Sequence, residues 1–165
     1  VIQNALQSNN SSLQTAAIRA FSAWPTPDPA DRLLKVAGSA TNSRQQVLAL
    51  RGYIRLVGLP SDRSADETVQ MYQKAMGLAR NANEQRLVLS GLEDVQSVSA
   101  LNAAGEYLDN PALRQEAAAA VVHIARRISD DHPTEVRQML QKVIAVTQNE
   151  SIRNNAQSIL DDLQK

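Results

Sequence analysis

The 165-residue chain carries 17 basic and 17 acidic side chains, so its formal charge is zero and no global field draws it to a polyanion such as DNA or RNA. Hydrophobic residues make up 43% but aromatics only 3%, an alanine-rich balance that suits closely approaching helices better than a core filled by large rings. The absence of cysteine excludes disulfides, thiolate ligands and a cysteine nucleophile while leaving the compartment open, and no stretch approaches the roughly 20 apolar residues of a membrane span.

A short helix near residues 2–8 opens the chain and pairs with an amphipathic helix whose apolar stripe is Leu13, Ala17, Ala20, Phe21 and Trp24. The proline-rich stretch Trp24 to Asp31 stops it and leads into a partner helix near 29–40. A second amphipathic helix follows with Gln45, Ala49, Gly52, Tyr53 and Leu56 on one face. After the break from Gly58 to Asp66, Ser64 with Glu67 three residues on has the form of a capping box, opening a helix to about Ala79 with Val69, Tyr72 and Met76 inward. A third amphipathic helix bears Glu84, Val88, Gly91, Leu92 and Val95, and a partner near 98–109 follows.

Asn110 followed by Pro111 marks an N-cap and first turn of a helix through Ile128, with Leu113, Ala117, Val121, Ile124 and Ile128 buried. The apolar run Ala117 to Ala125, interrupted by His123, reads as a buried helix. Pro133 starts the next helix, to about Thr147, burying Val136, Leu140, Val143 and Ile144. The last carries Ile152, Ala156, Ile159, Leu160 and Leu163.

Laid over one another, five of these helices echo a single frame: apolar-x-x-x-small-x-x-small-large apolar, starting at Leu13, Gln45, Glu84, Leu113 and Ile152 and spaced 29 to 39 residues apart. The opening site is polar in the second and third copies. Three residues beyond the large site, all five copies are apolar again, from Trp24 to Leu163. The spacing is that of stacked helical hairpins, so the expected fold class is all-α, an α-α superhelix of about ten helices in five hairpins, with 1–165 one domain. No alternating strand pattern or dividing linker is visible.

The segments NPALRQEAAAAV (Asn110 to Val121) and NESIRNNAQSIL (Asn149 to Leu160) resemble the second helix of short bacterial HEAT repeats, D-x-x-V-R-x-x-A-x-x-A-L, with Asn110 in the acidic position. The copies at Leu13, Gln45 and Glu84 keep the small and large sites but replace the arginine by Gln14, Gln46 and Gln85, which breaks a continuous arginine ladder. The likeness covers nearly the whole chain. It implies a right-handed solenoid that binds partners along a concave surface, stabilised by nearest-neighbour interfaces. The run from Arg44 to Leu92 also resembles HEAT segments inside large exported bacterial proteins, beside carbohydrate-acting or haem-binding domains. That likeness implies a periplasmic or secreted parent chain, of which this is a fragment; Val1 in place of methionine fits a mature form or an excised piece.

The candidates for chemistry read as structural. His123 sits beside the buried stripe with no second ligand at helical spacing, a flank histidine rather than a metal or catalytic group. Asp130, Asp131 and His132 precede Pro133 and read as a helix start, and Asp62, Asp66 and Glu67 as loop and N-terminal helix charge favoured by the dipole. Ser90, Ser97 and Ser99 lie near Glu93 and Asp94 without a nucleophile elbow or histidine. Arg51, Arg55, Arg80, Arg86, Arg126 and Arg127 read as solvated flanks neutralised by nearby acids. Trp24 and Tyr53 occupy repeat positions and read as core.

The expectation is therefore a non-catalytic scaffold, monomeric, with no catalytic, cofactor or metal residues, whose partner is a protein or a neighbouring domain rather than nucleic acid or membrane. Two alternatives stand beside it: an enzyme resembling the HEAT-like DNA glycosylases, which needs a basic groove, aromatics and a catalytic aspartate, and a rigid spacer between catalytic domains.

Overall fold

The computed structural model describes residues 2–8 and 10–164, and among them it contains ten helices and no strand. In order these are α1 Ile2–Leu6, α2 Ser11–Ser22, α3 Ala30–Ser39, α4 Ser43–Val57, α5 Ala65–Leu78, α6 Ala82–Leu92, α7 Val98–Gly105, α8 Arg114–Ile128, α9 Pro133–Val146 and α10 Glu150–Asp162. The all-α expectation holds, and the even-numbered helices are the five echo helices. Two compact units result, one from the chain up to Asp62 with Lys74–Leu87, the other from Arg63–Gln73 with Val88 onwards. In the first, α4 packs on both α2 and α3; in the second, α8 packs on α7, α9 and α10. Each thus pairs neighbours in sequence and also sets one echo helix against the next.

Asparagine stands three residues before every echo start, at Asn10, Asn42, Asn81, Asn110 and Asn149. Its side-chain oxygen accepts the first free backbone N–H groups: from Ser12 and Leu13 at 3.0 and 3.1 Å on α2, from Arg44 and Gln45 at 3.0 and 3.3 Å on α4, and from Glu84 and Ile152 at 3.1 and 3.2 Å on α6 and α10. Such a cap contributes about 1 kcal/mol. The capping box at Ser64 also forms, with the Ser64 N–H donating to the Glu67 carboxylate at 2.8 Å and the Glu67 N–H to the Ser64 hydroxyl at 3.2 Å.

Two boundaries shift by about a turn: the partner helix expected near 98–109 ends at Gly105, and the next helix starts late. The helix expected from Asn110 begins at Arg114, because the chain first makes a tight turn in which the Asn110 carbonyl accepts from both Leu113 and Arg114, at 3.0 and 2.7 Å. Asn110 still acts at the turn, its side chain accepting from Ala112 at 3.0 Å.

In all five copies the first small site (Ala17, Ala49, Val88, Ala117, Ala156) and the large site (Phe21, Tyr53, Leu92, Val121, Leu160) are buried. At the second small site two copies carry glycine, and there a neighbouring helix presses a side chain against the backbone. A Cβ on Gly52 of α4 would fall 2.7 Å from Ser22 Cβ of α2, and one on Gly91 of α6 would fall 2.6 Å from Tyr72 Cζ of α5. Only glycine allows either approach.

The polar opening sites of the second and third copies are buried too. Gln45 donates from its amide nitrogen to the Ser11 carbonyl, the Gln14 side chain and the Thr15 hydroxyl at 3.1 to 3.2 Å, tying α4 to α2. Glu84 turns back on its own helix start, accepting from the Arg80 N–H at 2.7 Å and the Asn81 amide at 2.9 Å.

The position after the echo start has one recurring task in four of the five copies. Gln14 donates to the Leu6 carbonyl, Gln46 to Leu78, Arg114 to Leu108 and Arg153 to Thr147, at 2.7 to 3.4 Å. These are carbonyls at or near helix C-termini, which lack an intrahelical donor. Glutamine and arginine both supply the N–H, so a broken arginine ladder leaves this link in place.

Candidate interaction surface

Burial consumes most of the frame but not all of it. Tyr53 is fully enclosed, as expected, whereas Trp24 is 37% exposed and is not a core residue. Leu13 is 48% exposed and Ala20 is also exposed. The reason is register: α2 covers the equivalent sites Gln45 and Gly52 on α4, and α2 is itself the first of the series. The Trp24 ring leans on Phe21 at a 6.0 Å centroid separation, and the Arg32 guanidinium lies 5.6 Å from the Phe21 ring centre. Ile144, expected to be buried, is half-exposed on α9.

Among the described residues no group of three or more His, Cys, Asp or Glu side chains could hold a metal ion. His132 takes the N-cap position of α9, but its side chain makes no capping hydrogen bond, and Asp130 and Asp131 stay in the exposed turn before it. Pro133 at the first helical position starts α9 without them. Ser99 donates to Asp66 at 2.5 Å, and Ser97 accepts the Ala100 N–H at 3.1 Å as the cap of α7. Ser97 is therefore committed to its own helix cap and Ser99 to a link with α5, while Ser90 is exposed.

His123 is exposed, and its Nδ1 stands 3.7 Å from the Glu93 carboxylate. Burial pushes the Glu93 carboxyl above its ordinary range, partly offset by His123 and reinforced by Asp94. Beside them Arg127 meets Asp94 at 3.7 Å. The Tyr72 phenol is pushed up to about 12, by burial first and then by Asp94, against a lowering from Arg63. Glu67 shifts the other way, its carboxylate held below the usual range mainly by the Ser64 backbone N–H and hydroxyl.

The arginines divide by what they touch. Arg55 donates to the Ser22 and Trp24 carbonyls at 2.9 and 3.0 Å, so on this arginine backbone oxygens, not acids, take up the guanidinium. Arg86 donates to Asn83 at 3.0 Å, Arg127 pairs with Asp94, and Arg51, Arg80 and Arg126 are exposed. Two clefts separate consecutive echo helices. Between α2 and α4 a space of about 390 Å³ is lined by Ser12, Thr15, Arg19, Asn42 and Arg44, among others; between α8 and α10 one of about 330 Å³ is lined by Ala119, Val122, His123, Arg126, Ile152 and Asn155. Sequence reasoning singled out Arg126 but missed Arg19 and Arg44, whose proximity depends on helix pairing.

Comparison of the chain with family models, curated proteins and solved structures finds no match.

Proposed function

We propose that the chain is a non-catalytic HEAT-like repeat module, a right-handed superhelix of about five hairpins that holds another protein or a neighbouring domain against its echo helices. The observation that carries this reading is the burial of the first small and the large site in all five copies. A frame repeated for packing still leaves exposed positions on each echo helix, such as Arg51, Ser90 and Ser158, and in solenoids such positions line up into an extended binding surface.

The architecture is tested by small-angle scattering. A compact domain of this length has a radius of gyration of about 15 Å, and a stacked array gives a larger value with an elongated distance distribution. The function is tested by photo-crosslinkers placed at exposed echo-helix positions (Arg51, Ser90, Ser158) and at exposed positions of the other helices (Lys35, Gln70, Gln138), expressed in the cell of origin. Crosslinks to one protein from the echo set support the reading. Crosslinks from the other set, or a scattering curve of a sphere, would sink it.

A further inference from the structure

Charge chemistry on the echo helices is uneven in a way the zero net charge hides. Nine arginines and no lysine fall within α2, α4, α6, α8 and α10, while Lys35, Lys74 and Lys142 lie on α3, α5 and α9. Arginine differs from lysine in presenting a planar, weakly hydrated fork that matches a carboxylate in two parallel hydrogen bonds. Several of the nine are occupied with backbone carbonyls, as described for Arg55, Arg114 and Arg153, or with Asp94 in the case of Arg127.

The guanidinium groups of Arg19, Arg44, Arg51 and Arg126 have no hydrogen-bond or ion-pair partner among the described residues. Three of these four line the two clefts, Arg19 and Arg44 in the first unit and Arg126 in the second. Neither cleft has an acid in its lining. Around the arginines stand further groups suited to an oxyanion or an amide, the hydroxyl of Ser12 in one cleft and the Asn155 amide in the other, where His123 already faces Glu93 at 3.7 Å. The α8–α10 cleft also has an aliphatic floor, Ala119, Val122 and Ile152.

We propose that these clefts, one in each unit, receive carboxylate side chains from an acidic segment of the partner protein. The proposal rests on the scaffold reading and adds to it the chemistry of the partner. The aliphatic floor of the α8–α10 cleft favours a carboxylate on a hydrocarbon stem, or one next to a leucine, over a sugar–phosphate chain. Two arginines in one cleft and one in the other likewise fit discrete carboxylates better than a continuous polyanion, which calls for a stripe of cations along its backbone.

The test is fluorescence anisotropy with the full chain and three labelled probes: a peptide rich in Glu and Leu, its counterpart with Gln for Glu, and a DNA duplex. The acidic peptide is expected to bind at least about tenfold more tightly than the Gln peptide, and Arg19→Gln with Arg44→Gln, or Arg126→Gln, to weaken it about tenfold. Lys35→Gln with Lys74→Gln removes the same charge away from the clefts and is expected to leave binding unchanged. All of these side chains are solvent-exposed, so circular dichroism should show every variant folded.

Equal losses from the lysine variants would overturn the proposal, since the attraction would then be general. So would tighter capture of the duplex, or no binding of the acidic peptide. If that failure came with echo-helix crosslinks in the cell, the acidic-segment proposal would fall and the scaffold reading would stand. If the crosslinks also vanished, both would fall.

Discussion

Substituting alanine for glycine at four helical positions gives opposite signs from one chemical change. On Gly91 the new Cβ would lie 2.6 Å from Tyr72 Cζ and 2.8 Å from its hydroxyl oxygen, and Tyr72 is a buried ring, 2% exposed, with little room to turn. On Gly52 it would lie 2.7 Å from Ser22 Cβ, an atom fixed to the α2 backbone, and 2.9 Å from Leu33 Cδ1. Overpacking costs about 1–3 kcal/mol, and alanine returns about 1 kcal/mol of helix propensity. With contacts this short and neighbours this rigid the upper range applies, for a net loss of about 1–2 kcal/mol at each site. For a chain of this length a loss of 1 kcal/mol lowers the melting temperature by about 2–4 °C. A Cβ on Gly77 meets nothing within 4 Å, so Gly77→Ala is expected to gain about 0.5–1 kcal/mol and melt higher. Gly105 faces only the flexible tip of Met139, at 2.6 Å, which can swing aside, and its variant should stay near the parent. Thermal and urea unfolding followed by circular dichroism would rank the four. A Gly91→Ala protein melting at or above the parent, or a Gly77→Ala protein melting below it, would refute the packing argument.

Replacing Asn42 or Asn149 by alanine removes a formed cap and should cost about 1 kcal/mol in the same assay; no loss at either would mean that the repeated asparagine does not stabilise its helix. Gln45→Ala strips the buried link to Ser11, Gln14 and Thr15 and should cost about 1–3 kcal/mol, whereas a neutral result would show those groups satisfied by water. Tyr72 keeps its proton more strongly folded, at about 12, than unfolded, at 10.0. Its contribution is complete below pH 10 and lost as pH climbs through about 12. The parent should therefore lose stability over that alkaline window and Tyr72→Phe should lose less, read from unfolding with tyrosinate absorbance; parallel profiles would refute the assignment. Glu67 and Glu93 should give opposite acid profiles. The depressed Glu67 contributes stability present above the ordinary value of 4.5 and lost as pH falls through its folded pKa, so the deficit of Glu67→Gln should shrink in acid. The raised Glu93 favours the fold below 4.5 and loses that contribution as pH rises through its folded pKa, so Glu93→Gln should gain on the parent toward neutral pH.

Much of the helical layout was legible because its causes are local. Ser64 and Glu67, Pro133 and the apolar spacing of each echo helix involve residues within a few positions of one another, so the chain order shows them directly. The asparagine three residues before each start is equally local and open to view, but a frame built on apolar residues leaves it out, so that only Asn110, beside Pro111, reads as a cap. Helix ends were less legible. The start at Arg114 depends on how the Asn110 carbonyl is shared between two donors, which chain order does not show.

Exposure and cleft formation depend on contacts between residues far apart in the chain. Trp24 and Leu56 occupy the same echo position, yet one is exposed and the other enclosed, because α4 has an earlier echo helix packed against it and α2 does not. Gln45 and Glu84 looked like lapses in the frame and proved to be buried, one joined to α2 across some thirty residues of chain and the other folded onto its own cap. Arg19 and Arg44 became a pair only when α2 met α4. Periodicity along the chain is enough to specify helices and the faces they bury, since both follow from backbone geometry and hydrophobic burial. It does not specify which charged side chains end up in the same cleft, because that depends on how one helix is placed against the next.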